Sequence, residues 1–261
     1  MNRVGLYTAL VIGLMTGVVF ALYPQLDIAL SRLFFQDGAG FALTSSTLFS
    51  ALRDGSMVIV GVIVALPIGA AILKLLRPET RMLMPGRAAV FLIATILLGP
   101  LLTANIGFKD NWSRPRPRDV AAFGGTQVFV PWWDPRGTCE VNCSFIGGEA
   151  AGAYWTIAPA ALAPPQWRAL AYGAALAFGT AVSLLRMAFG GHFFSDVVFA
   201  GVFIYLIIWL AYAILYRWRL FGLSDATIER AIASAGRWLR RLFRGKPRPR
   251  TGAARRRDVR S

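Results

Sequence analysis

The chain has 261 residues, of which 56% are apolar and only 16% charged, against about 45–50% and about 25% in a soluble globular domain. Together these values exclude a disordered protein and an ordinary soluble enzyme, while one histidine and two cysteines leave little room for a zinc fold or a disulfide scaffold. Of the 28 Lys/Arg that give a net charge of +15, 14 lie from Arg217 onward with only 3 acids, so the basicity is a tail behind an apolar span and suggests a membrane surface rather than nucleic acid.

A membrane-crossing helix needs about 20 mostly apolar residues. Six windows qualify, at about 5–23, 57–76, 88–107, 147–163, 169–186 and 197–216. The first has no convincing cleavage site after it and reads as a span rather than a leader. Between spans one and two, residues 26–35 alternate as a short amphipathic helix on the outer surface. The fourth and fifth windows are rich in Ala and Gly, which lets helices pack closely, and they are expected at the centre of the bundle. Lys74, Arg77, Arg81 and Arg87 in the second link, Arg168 in the fourth and the tail all fall on one side. Positive residues mark the cytoplasm, which puts both termini there and the loops 24–56, 108–146 and 187–196 outside. Residues 226–243 carry Ile228, Ile232, Ala235, Leu239 and Leu242 on one helical face, with Arg230, Arg237, Arg240 and Arg241 elsewhere. That pattern predicts an interfacial helix, and beyond Gly245 the Pro/Arg-rich composition predicts disorder. The expected fold is an all-α six-transmembrane-helix bundle over residues 1–218 with an outer loop subdomain. A basic cytoplasmic tail over 219–261 would meet anionic lipids.

The polar residues gather on the outer side. Span three runs into Lys109-Asp110-Asn111-Trp112-Ser113-Arg114-Pro115-Arg116-Pro117-Arg118. Such cations can snorkel to headgroups, but the prolines stiffen the segment and present the Arg116 fork, which suits a phosphate site. Arg186 ends span five. After the turn at Gly190-Gly191 come His192, Ser195, a candidate cap for the last span, and Asp196. At four residues' spacing Asp196 can hold one ring nitrogen of His192 and free the other as a nucleophile. Cys139 and Cys143 lie in the same outer loop, as a disulfide in an oxidising compartment or as two free thiols. Trp132 and Trp133 read as interfacial anchors or as a lip for an acyl chain or sugar.

Lys109-x6-Arg116-Pro117 and Arg186-x5-His192-x3-Asp196 resemble the first and third signatures of the type 2 phosphatidic acid phosphatase (PAP2) superfamily, over roughly residues 20–216. The resemblance implies that Lys109, Arg116 and Arg186 bind phosphate, that His192 attacks phosphorus and that Asp196 orients it. The second signature departs from the family's Pro-Ser-Gly-His. Here Ser144-Phe145 is followed by Ile146-Gly147-Gly148-Glu149. Gly147 and Gly148 at a helix start can cradle an anion. Glu149 stands where the family has its general-acid histidine, and acts either as a proton carrier or as an ion-pair partner of Arg114 or Arg116. The Glu-for-His change is similar to a bacterial branch linked with lipid A dephosphorylation, and Arg114 and Arg118 add cations for an anionic headgroup.

The resemblance thus implies a lipid phosphatase at the periplasmic face of a bacterial inner membrane, working through a phosphohistidine, with a lipid phosphate as substrate and no cofactor or metal. Undecaprenyl pyrophosphate, glycerophospholipid phosphates and phosphotransfer are alternative chemistries. A non-catalytic lipid-binding or transport relative is the alternative class, although a transporter would place its ionisable groups near the bilayer midplane.

Overall fold

In a computed structural model, which describes residues 1–109 and 111–243, the chain is all-helical, with no β-strand among the described residues. Among the described residues, five helical stretches are long and apolar enough to cross a membrane. They are α1 (Arg3–Leu22), α3 (Thr47–Leu76), α4 (Gly86–Ile96) with its wider-wound continuation Leu97–Lys109, α7 (Pro165–Ala188), and α8 (Phe194–Tyr212) with its continuation Ala213–Arg217. The short α2 (Gln25–Arg32) follows α1, and α9 (Asp225–Phe243) closes the described chain.

The fourth expected span departs from the sequence reading. Residues 147–163 form two short helices, α5 (Gly148–Tyr154) and α6 (Ile157–Ala161). Pro159 explains the break, because its nitrogen cannot donate to the Trp155 carbonyl and its ring crowds that oxygen. Ala158 N–H takes the carbonyl instead at 2.8 Å, and Thr156 Oγ1 donates to Ala153 O at 2.6 Å. The pair survives because it is buried. Ala150, Ala151, Ala153, Trp155, Ala158 and Ala161 are all at most 1% exposed, and Trp155 Nε1 donates to Thr95 Oγ1 at 3.0 Å. A broken helix at membrane depth is tolerated where protein, not lipid, surrounds it.

Helix direction separates the molecule into two ends. Arg53 near the start of α3, Lys109, Glu149 at the start of α5, Arg186 and Asp196 share one end. At the other, Arg217 donates to the Met1 carbonyl at 2.9 Å. There α9 docks by Glu229 to Lys74 at 3.0 Å and by Asp225 to Arg87 at 3.0 Å. The face of α9 that is buried carries Ile228, Ala233 and Gly236. Ala235 and Leu242, expected on the apolar face, are exposed, because α9 lies against the ends of α3 and α4. The disorder expected beyond Gly245 lies outside the described residues.

Candidate active site

The loop from 111 to 147 is held over the bundle by Arg114, which is fully buried. Its Nε donates to Val130 O at 2.9 Å, one Nη to Ser195 Oγ at 2.9 Å and to Asp196 Oδ1, and the other Nη to Asp27 Oδ2 at 2.7 Å. Its guanidinium stacks 4.4 Å from the Phe193 ring centroid. The expected headgroup role for Arg114 is therefore corrected. Every donor group points inward, and two carboxylates from distant helices neutralise it. Asp27, an acid within the short amphipathic stretch, also accepts from Ser195 N–H at 3.0 Å and Ser195 Oγ at 2.6 Å. So Asp27 covers the start of α8, and Ser195 is not the cap. Arg118 is half-exposed beside Asp119, 3.9 Å away, and its backbone N–H donates to Gly190 O at 3.1 Å. Trp132 is no anchor either, since its indole donates to Gly17 O at 3.2 Å and its ring packs 4.5 Å from Phe199.

His192 follows a turn in which Gly190 has φ +59° and abuts the Phe41 ring, a position where an L side chain would be strained and would clash. The ring is 1% exposed. Its Nδ1 lies 2.7 Å from Ser144 O, and a carbonyl only accepts, so Nδ1 carries the hydrogen and Nε2 keeps a lone pair. Burial, then the charges of Arg186, Arg116 and Lys109, hold the imidazole well below its ordinary pKa, against the opposing Ser144 bond. The direct hold expected from Asp196 is also corrected. Its Oδ2 is 3.9 Å from Nδ1 and accepts instead from Ser144 Oγ at 2.5 Å and Phe193 N–H at 2.8 Å. Asp196 is therefore linked to His192 only through Ser144, whose hydroxyl donates to the carboxylate and whose carbonyl accepts from the ring N–H.

Three signature cations meet at this ring. Arg116 is anchored by Nε and one Nη on Asn142 O at 3.0 and 2.6 Å. Burial and the neighbouring Arg118 charge press its guanidinium below the ordinary value. Asn142 lies inside the five-residue ring closed by the disulfide Cys139–Cys143. Arg186 packs on Gly191, and its Nε is buried without a hydrogen-bond partner among the described residues. Lys109 and Asn105 stand against Gly148, where an added Cβ would lie 2.8 Å from Asn105 Oδ1 and 3.4 Å from Lys109 Nζ. Gly147 lies beside the imidazole, its missing Cβ 3.6 Å from Cδ2, and its own N–H points to Asp196 O at 3.4 Å.

Glu149 pairs with neither Arg114 nor Arg116. Arg53 grips it, Nε at 3.2 and 2.9 Å from the two oxygens and Nη at 2.5 Å. Arg186 Nε is 3.5 Å from Oε2. Two guanidiniums favour the ionised carboxylate. Arg53 was not found in the sequence, although a charge just ahead of an apolar window was the available signal. Beside it, an apolar groove of about 420 Å³ is lined by Phe34, Leu52, Ser56, Phe178, Val182 and Leu185, among others.

The structure thus brings His192, Arg186, Arg116, Lys109 and Glu149 together at one end of the bundle, and residues 88–220 match the PAP2 superfamily. The chain belongs to that superfamily. It is 44% identical to a lipid A 4'-phosphatase of Francisella tularensis subsp. novicida over half of this chain and 60% of that protein. It is 31% and 30% identical to lipid A 4'-phosphatases of Rhizobium leguminosarum and Rhizobium etli, over 69% of this chain and 83% and 75% of theirs. The chain thus spans less than two thirds of the Francisella relative. No solved structure matches it.

Proposed function

We propose that this PAP2 protein is a lipid phosphatase that removes a phosphate monoester from lipid A through a phosphohistidine on His192. The observation that carries the reading is the neutral, buried His192, its Nδ1 on a carbonyl and its ring under the charges of Arg186, Arg116 and Lys109. Such cations stabilise the charge spread over a transferring phosphoryl group. The names of the relatives favour lipid A, and the groove beside Arg53 offers a bed for an acyl chain.

In the first step Nε2 attacks phosphorus, the N–P bond forms and the P–O bond to the sugar breaks. The 4'-oxygen is an ordinary secondary alcohol oxygen and leaves with a proton from Glu149. Glu149 obtains it from the substrate, whose second phosphate pKa of about 6 lets it enter as the monoanion. The Ser144 carbonyl stabilises the positive charge on the phosphorylated ring through Nδ1–H. Water then attacks phosphorus and passes a proton to Glu149 while the N–P bond breaks, so inorganic phosphate leaves, Nε2 regains its lone pair and Glu149 gives its proton up to solvent.

We place the site at the periplasmic face, with the α5–α6 pair as a sixth crossing and both termini cytoplasmic. The adjacency of Met1 and Arg217 supports this, as do the basic links at that end. The catalytic unit is then 1–218, and the Arg-rich segment from 219 faces anionic lipids. Cysteine labelling of intact cells from each face tests this arrangement.

The functional test is phosphate release by purified protein from lipid A, undecaprenyl pyrophosphate and phosphatidate. Lipid A should turn over fastest and leave an acid-labile phosphoprotein early in the reaction. Preference for another lipid changes the substrate and keeps the mechanism. No phosphate release from any of them, with the protein folded, leaves a non-catalytic lipid-binding relative.

A further inference from the structure

Arg53 lies outside the residues that match the superfamily, yet it is the cation that holds Glu149 most closely. We propose that Arg53 is a fourth phosphate-binding cation, and that Glu149 occupies its fork until the substrate phosphate displaces it. This rests on the phosphatase reading above and goes beyond it in assigning the residue and the exchange.

Three observations support the assignment. First, Arg53 belongs to the phosphate cluster by charge: Arg116 and Arg186 both lie within its electrostatic reach and that of Glu149. Second, the Arg53 side chain is 39% exposed and its other Nη lies 3.6 Å from the exposed Asp54, so an anion from solvent can reach the guanidinium and compete with Glu149 for it, unlike the sealed guanidinium of Arg114. Third, Arg186 Nε is buried 3.5 Å from Glu149 Oε2 and makes no hydrogen bond among the described residues. A carboxylate with two oxygens fills the Arg53 fork and leaves Arg186 unsatisfied. A phosphate with three terminal oxygens can serve both, with Lys109 and Arg116 taking the rest. The exchange also gives Glu149 its proton. Once the monoanion sits on the arginines, the freed carboxylate faces a phosphate rather than two guanidiniums and takes its proton, leaving the dianion bound.

The inference separates from a purely supporting role for Arg53 by a double-mutant cycle, read as binding of inorganic phosphate to the full-length protein in detergent. Glu149→Gln should bind phosphate several-fold more tightly than the parent, because the competing anion is gone. Arg53→Ala added to Glu149→Gln should then weaken phosphate by about 10-fold or more, the size of a lost hydrogen bond between charged groups. Arg53→Lys in the same background should recover part of the loss. Unchanged phosphate affinity on adding Arg53→Ala to Glu149→Gln overturns the proposal and leaves Arg53 a support for Glu149. Thermal midpoints equal to the Glu149→Gln parent confirm that the comparison is between folded proteins. Should the protein bind phosphate with this pattern and hydrolyse no lipid, the phosphatase reading fails and the Arg53 assignment stands.

Discussion

Two arginine clusters lie near each other at one end of the bundle and have opposite character. Around Arg114, two carboxylates and a hydroxyl meet one guanidinium in a dry interior, and its three nitrogens all have partners. Around Glu149, one carboxylate is shared by two guanidiniums with Lys109 and Arg116 nearby, and a buried donor is left over. The first cluster fixes the loop to α2 and α8. The second leaves Arg186 Nε without a hydrogen-bond partner among the described residues, a donor that a phosphate bound there would satisfy. Cation count in the sequence does not distinguish the two. The balance of partners does.

The contrast can be broken at several points. His192→Ala should abolish phosphate release altogether, since no second histidine exists, while the protein still purifies as a folded species. Substantial turnover by this variant would end the phosphohistidine mechanism. Arg114→Ala leaves Asp27 and Asp196 buried without their cation, and breaking such a pair costs about 3–5 kcal/mol. Its yield and thermal midpoint should collapse, whereas Arg53→Ala should keep a near-parental midpoint. Equal midpoints for the two would erase the difference between the clusters. Glu149→Gln should lose activity by about 10²–10⁴-fold, as expected of a proton carrier, and parental activity would reduce Glu149 to an ion-pair partner. The acid limb of kcat/KM belongs to His192. Because burial and cations disfavour the imidazolium, its protonation sets in only well below the ordinary value of about 6.5, so kcat/KM should not fall between pH 8 and 6.5 but rise, as the substrate monoanion of pKa about 6 accumulates. Arg118→Ala, at an exposed pair, should change KM by less than about fivefold.

The sequence carried the parts of this site that are local. Lys109 to Arg116 and Arg186 to Asp196 are short segments whose spacing alone aligns them with a known phosphate chemistry, and the disulfide lies between cysteines four residues apart. What it misread depended on distant partners. Arg114 looked like one more cation in a basic loop, because Asp27 lies 87 residues away and Asp196 lies 82. Asp196 looked like a direct partner of His192 because four residues separate them, but Ser144, 48 and 52 residues away along the chain, bridges the two. Arg53 was hidden by the hydropathy window, which begins at 57. The helix itself has 30 residues, about 45 Å at 1.5 Å per residue against a hydrocarbon layer of about 30 Å. Its first turns can therefore carry charge while its later ones stay apolar.

The ring closed by Cys139 and Cys143 has a consequence for how one cation is aimed. Asn142, whose carbonyl aims Arg116, has φ +57° and lies one residue before the second sulfur. A newly made chain with reduced cysteines keeps all its cations but loses the covalent frame that points one of them. The disulfide thus bears on the aim of Arg116 rather than on the packing of the helix bundle.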